Sequence, residues 1–138
     1  MPFTFENHHN VVFGDCDPAG IVYYPNIYRW MDGTFQRFLQ QYGGHAAVCE
    51  HLGAVGLGLM ETHAKYRRPL KDGDALTIRM EITEWSAKSY RLIHRGYVGD
   101  DLAFEGTEVR ALFEHRDGRM RAGEVSRLKT YLESRSEP

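Results

Sequence analysis

Val11–Trp30 reads VVFGDCDPAGIVYYPNIYRW. Its first part, Gly14 to Gly20, has the composition of a loop, with two glycines, two aspartates and a proline in seven residues. Its second part runs into a different pattern. Apolar residues at Ile27, Trp30, Met31, Phe35, Phe38, Leu39 and Tyr42 recur at intervals of three and four, which places them on one face of a helix. Pro25 and Asn26 are expected to open that helix and Gly43-Gly44 to stop it. Tyr28 and Thr34 widen the stripe, so the helix is expected to be largely wrapped by other structure.

The rest of the chain has a different period. Residues 3–13 are β-prone at both ends. A short helix is expected over residues 45–52, then a glycine-rich connector, GAVGLG, over residues 53–58. LMETHAKYRRPL alternates irregularly up to Pro69, and KDGD makes a turn. In ALTIRMEITEW, Leu76, Ile78, Met80 and Ile82 point one way and Thr77, Arg79, Glu81 and Thr83 the other, the period of a strand with one face covered. SYRLIHRGYV and LAFEGTEVRALFEHR read as two further strands, joined by GDD, with DGR as another turn. Residues 124–134 are expected to form a closing helix, and residues 135–138 to fray. One long helix followed by a run of antiparallel strands is α+β, most simply a curved antiparallel sheet wrapped around one central helix. So little helix leaves sheet uncovered, and homodimerisation through a strand edge is expected.

Composition narrows the class. The chain has 138 residues, 42% hydrophobic and 26% charged, which fits one globular domain spanning residues 1–138. A formal net charge of −2 carries no basic excess for nucleic acid. The two cysteines, Cys16 and Cys49, have neither metal-like spacing nor the number needed for a disulfide framework. The N-terminus lacks the pattern of a signal peptide and no run is long enough to span a membrane, so a cytoplasmic location without membrane association is expected.

The loop can support chemistry as well as shape. A carboxylate just ahead of a helix sits near N–H groups that have no intrahelical acceptor. Such N–H groups polarise a carbonyl, and a carboxylate beside them can act as nucleophile or general base in acyl transfer. No G-x-S-x-G elbow is present, which leaves a carboxylate-based hydrolase as the acyl-transfer option. The competing readings are that Asp15 or Asp17 caps a turn, for which D-x-D-P-x-G is well suited, or that the pair binds Mg²⁺.

The stretch FGDCDPAGIVYYPNIYRWMD resembles the signature of the 4-hydroxybenzoyl-CoA thioesterase family, the hotdog-fold acyl-CoA thioesterases. Weaker similarity runs through YRRPLKDGDALTIRMEITEW and KSYRL. The resemblance implies a hotdog fold assembled as homodimers that pair into homotetramers, and hydrolysis of an acyl-CoA. No metal or other cofactor is implied, since coenzyme A is part of the substrate. It implies that Asp17 is the catalytic carboxylate and that the backbone N–H at Tyr24 polarises the thioester. It also places Asp32 where an aromatic acyl ring's hydroxyl is met, and Pro25 favours that aromatic-acyl branch. Asp32 could equally face solvent. Asp15 is expected to hold the loop, and Gly20 to give close backbone approach to substrate or a positive φ.

Arg67, Arg68 and Lys88 are candidates for the coenzyme A phosphates, with Lys71 and Arg91 behind them; the competing reading for each is a solvated strand face. His63 is expected to be structural, Cys16 not to be a nucleophile, and Trp30, Phe35 and Phe38 to be core. The leading substrate is 4-hydroxybenzoyl-CoA. The alternatives are a thioesterase for short-chain or other aliphatic acyl-CoA, and a non-catalytic acyl-CoA-binding hotdog module.

Overall fold

The alternating stretches form antiparallel ladders in the computed structural model, which describes residues 2–135. The strands are β1 (Phe3–Asn10), β2 (Gly56–Tyr66), β3 (Ala75–Trp85), β4 (Tyr90–Val98), β5 (Asp101–Arg116) and β6 (Arg119–Ala122). They lie in the order β1-β3-β4-β5-β2, with β6 pairing the last part of β5. Leu76, Ile78, Met80 and Ile82 of β3 are all buried, as their spacing requires. The helices are α1 (Tyr24–Gln40), α2 (His45–Leu52) and α3 (Ser126–Arg135). No helix among the described residues is long and apolar enough to cross a membrane.

Helix α1 lies along the sheet and contributes to two apolar clusters. At its C-terminal end, Phe35, Phe38 and Leu39 pack with Val48, Leu92, Leu112, Leu128 and Leu132. At its N-terminal end, Ile27 and Met31 pack with Val11, Val22, Leu70, Leu76, Ile78 and Phe104. The second cluster fastens the Gly14–Gly20 loop to the sheet, because Val11 and Val22 flank that loop. Close approach of helix to sheet is set at Gly106 of β5. A Cβ there would run into the end of the Met31 side chain and come within 3.3 Å of the His63 carbonyl, so a larger residue at 106 requires Met31 to shift.

Several expectations are revised. Strand β2 begins at Gly56, inside the segment expected to be a connector. Its Gly58 is in a strand because the Phe113 ring occupies the place of its side chain, with 2.7 Å left for a Cβ. Helix α1 starts one residue earlier than expected, at Tyr24, with Pro25 in its first turn. Trp30 is half-buried and packs at the edge of the N-terminal cluster, its ring centroid 4.4 Å from that of His9. Arg29, Arg37 and Gln40 leave one side of α1 in solvent, so a single chain wraps only part of the helix. Arg135, expected to fray, closes α3 and lies 4.8 Å over the Tyr131 ring. The remainder of the expected frayed tail, 136–138, lies outside the described residues.

Candidate active site

The loop is built on Asp15 and turned by Asp17. A 3₁₀ turn over Phe13–Asp15 leads in. The Asp15 carboxylate accepts from Val12 N–H at 3.0 Å and bonds His9 Nε2 at 3.0 Å. Burial by itself raises the Asp15 pKa, but these bonds and the neighbouring His9 and Arg29 outweigh it and hold the group below its ordinary value. The backbone carbonyl of Asp15 accepts from Tyr23 N–H and from Asn26 Nδ2, both at 2.9 Å. One peptide oxygen thereby ties the loop to the first turn of α1. Asp15 shapes the loop, as expected.

Asp17 closes the turn. Its carbonyl accepts from Gly20 N–H, its own N–H donates to Ile21 O, and its Oδ1 accepts from Ala19 N–H, each at 2.9 Å. Gly20 has φ +84°, the conformation this turn needs and a side chain resists. Turn capping and chemistry are compatible here. Capping occupies Oδ1, and among the described residues no hydrogen bond engages Oδ2. Tyr24 is the first residue of α1, with no carbonyl four residues back in helical register. Among the described residues no acceptor takes its N–H.

The half-buried Asp17 and the exposed Tyr24 border an apolar rim of Val12, Phe13, Ile21 and Tyr23, all exposed. Tyr66, at the end of β2, lies near Tyr24 and Tyr28. Burial, then a hydrogen bond with Tyr28 and the nearness of Tyr24, push its phenol up to about 12. Cys16 directs its thiol at the Val12 carbonyl, 3.8 Å away. Among the described residues, no cluster of three His, Cys, Asp or Glu side chains is placed to hold a metal.

Asp32 has a partner that the sequence did not reveal. Its Oδ1 accepts from Arg110 Nη2 at 2.7 Å and from Gln36 Nε2 at 3.3 Å, while the side chain stays 45% exposed. Asp32 lines a cavity of about 410 Å³ with His9, Asp15, Arg29, Trp30 and Arg37.

The basic candidates divide. Arg67 and Arg68 both donate backbone N–H to Ala103 O, and Leu70 O accepts from Val22 N–H, so they stand at the loop end of the sheet. Their side chains pair with Glu105 at 2.9 Å and Asp101 at 3.2 Å. Arg67 and Arg95 together hold the Glu105 carboxyl below its usual range. Lys88 instead shares a cleft with Arg116, Arg121 and Arg127 at the other end. At about 3.3 Å per residue along β5, that is roughly 25 Å away, so Lys88 does not share a phosphate with Arg67 and Arg68 of its own chain. His63 is an exposed residue of β2, across from Thr107.

Residues 11–128 match the model of the thioesterase-like superfamily. The chain is 37% identical over 134 residues to 4-hydroxybenzoyl-CoA thioesterase of Pseudomonas sp. strain CBS-3, covering 91% of this chain and 94% of that one. It belongs to the thioesterase-like superfamily. The crystal structure of the D17N mutant of 4-hydroxybenzoyl-CoA thioesterase, complexed with 4-hydroxybenzoyl-CoA, matches at TM-score 0.82 and 30% identity, covering 97% of this chain and 99% of the other. The BH1999 gentisyl-coenzyme A thioesterase matches at TM-score 0.74 and 30% identity, over 86% and 94% of the two chains. The fold of this thioesterase-family chain is the hotdog, as the loop signature implied.

Sequence reading missed the charged group beneath α1 of this thioesterase-family chain. Arg110, 1% exposed, lies 4.2 Å over the Phe35 ring and pairs with Glu108 Oε1, which also bonds His94 Nε2 at 3.0 Å. Tyr90 OH, His94 Nδ1 and Glu108 Oε2 are buried with no hydrogen-bond partner among the described residues. The available signal was parity. Phe104, Gly106, Glu108, Arg110 and Leu112 share one face of β5, so two charges occupy positions where the strand pattern calls for apolar side chains.

Proposed function

We propose that this acyl-CoA thioesterase hydrolyses an aromatic acyl-CoA, 4-hydroxybenzoyl-CoA first among them, to the free acid and coenzyme A. The observation that carries the reading is the pairing of a carboxylate oxygen and a backbone N–H, both without hydrogen-bond partners among the described residues, where a loop clamped by the Asp15 carbonyl meets α1. The Tyr24 N–H donates to the thioester oxygen and stabilises the oxyanion as it forms. Asp17 Oδ2 either attacks the carbonyl carbon, expelling the coenzyme A thiolate and leaving an anhydride for water to cleave, or takes a proton from the water that attacks. After one turnover in ¹⁸O-water, label in the Asp17 carboxylate identifies the anhydride route. Gly20 lets the turn backbone approach the thioester closely.

The acyl ring is met by Asp32. Eight residues of helix separate Tyr24 from Asp32, about 12 Å along the axis. A hydroxybenzoyl group with a hydrogen bond of about 2.9 Å at each end spans about that distance, so a carbonyl at a Tyr24 N–H and a ring hydroxyl at an Asp32 are compatible positions, within one chain or across two copies. Strand β2 supports a homodimer. It is an edge of the sheet, eleven residues long, and exposes Leu59, Met60 and Tyr66. The opposite edge, β1, exposes Thr4, Glu6, His8 and Asn10 but none of the large apolar side chains that β2 presents among its own polar ones. Two dimers form the homotetramer. Arg67 and Arg68 are the candidates for the coenzyme A phosphates at this end, exchanging their acidic partners for phosphate.

The test is hydrolysis of a panel of hydroxybenzoyl, benzoyl and aliphatic acyl-CoA esters by the wild type and Asp32→Ala. The expected result is preference for the hydroxybenzoyl ester, lost in Asp32→Ala without loss on aliphatic esters. Preference for aliphatic esters overturns the aryl reading. Tight acyl-CoA binding with no turnover on any ester overturns the catalytic one.

A further inference from the structure

We infer that Arg110 is a specificity-positioning residue, which fixes Asp32 as the acceptor for a hydroxyl on the acyl ring. The inference rests on the proposed meeting of Asp32 with that hydroxyl and adds the device that makes it selective. Two donors converge on a single oxygen of Asp32: Arg110 Nη2 at 2.7 Å and Gln36 Nε2 at 3.3 Å, both on Oδ1. Gln36 is itself held. Leu57 N–H donates to His45 Nε2 at 3.3 Å, which leaves the ring proton on Nδ1 to bond Gln36 Oε1 at 3.0 Å. The Gln36 amide is thereby oriented with its NH₂ towards Asp32. Among the described residues nothing engages Asp32 Oδ2, and the side chain opens on the cavity beside Trp30 and Arg29. The carboxylate is thus fixed at one oxygen and free at the other.

Arg110 cannot swing away. Its Nε donates to Glu108 Oε1 at 3.1 Å, its Nη1 to Leu57 O at 3.4 Å, and its plane covers Phe35. Glu108 is braced in turn by His94. A buried guanidinium with this many fixed partners is costly to desolvate. Among the described residues, its one contact that reaches a solvent-facing group is Asp32. The geometry therefore assigns the cost to positioning: a carboxylate fixed in place favours a ring with a proton to donate over one that leaves the free oxygen without that bond.

The experiment compares kcat/KM for 4-hydroxybenzoyl-CoA and benzoyl-CoA in the full-length protein. Arg110→Met combined with Glu108→Gln removes the positioning cation without leaving its buried partner charged. The hydroxybenzoyl-over-benzoyl ratio is expected to fall by about tenfold or more, the factor a charge-assisted hydrogen bond supplies, while benzoyl-CoA turnover stays near wild type. Arg110→Lys, which keeps the charge but cannot span Glu108 and Asp32 together, is expected to give an intermediate ratio, and it decides the matter if the double variant does not fold. A wild-type ratio in the Arg110 variants, with a collapsed ratio in Asp32→Asn, overturns the inference and leaves the proposed function standing. A wild-type ratio in Asp32→Asn overturns the role of Asp32, and the inference with it.

Discussion

Replacing Asp17 by Asn separates the two uses of that side chain. The turn needs one oxygen, Oδ1, to accept Ala19 N–H at 2.9 Å, and an amide carbonyl supplies it. The remaining turn bonds are made by backbone atoms. Folding stability is therefore expected to change by no more than about 0.5 kcal/mol, the usual range for a surface substitution that breaks no buried partner. The chemistry needs the other oxygen to carry charge. An amide is neither a useful nucleophile nor a base, and losing a positioned base or nucleophile costs about 10²–10⁴-fold in turnover. That corresponds to about 3–5 kcal/mol of transition-state stabilisation. Turnover is read as thiol released from 4-hydroxybenzoyl-CoA, stability by thermal unfolding, and binding by calorimetry. The expected outcome is near-normal melting and retained binding with turnover down by at least a hundredfold. Hydrolysis within a few-fold of wild type in the folded variant would refute the assignment of Asp17. A fall in melting temperature that tracks the lost activity would reduce Asp17 to a turn cap.

Gly106→Ala is expected to destabilise the fold by about 1–3 kcal/mol, since its Cβ enters the end of the Met31 side chain, which is fully buried and has to repack; urea unfolding measures it, and Met31→Ala in the same chain should recover part of the loss. His45 gives a pH signature. Burial first, and then the Arg110 charge, lower its pKa from the ordinary value of 6.5. Below about pH 6.5 the unfolded chain binds a proton that the folded chain resists, so this group's stabilising contribution is present above that pH and lost as pH falls through the folded value. His45→Gln should flatten the decline in urea midpoint over that window, and an unchanged slope would count against the Leu57–His45–Gln36 relay. Met60→Lys places a charge on the exposed β2 edge, and a two-fold interface repeats it; light scattering should show dissociation towards single chains, and an unaltered mass would exclude β2 as the pairing edge.

Much of this was legible from residue order, because it depends on local rules. Period two in residues 75–85 set the buried face of β3, and spacings of three and four set the buried face of α1. The G-D-x-D-P-x-G loop marked both the turn and the family, because its φ demands and its placement before a helix are local properties. The connector at residues 53–58 was misread because Gly56 and Gly58 look like breakers until Phe113, far along the chain, is seen to fill the vacant side-chain position. Helical period placed Trp30 on the core side of α1, where it packs at the edge of the N-terminal cluster, but its ring neighbour, His9, comes from the edge strand and was not legible locally.

By itself, the amino-acid sequence marked the hotdog architecture and the family, through the loop between Gly14 and Gly20 and the periods of α1 and β3. Tertiary structure alone gave Asp32 its partner, Arg110. A carboxylate on a helix has no local property that distinguishes solvent from site. Arg110 stands 78 positions away in sequence and meets Asp32 only because α1 lies across β5 at Gly106. The same packing separates Lys88 from Arg67 and Arg68, which no spacing along the chain could show, since distance in a sheet is set by strand pairing and not by residue number.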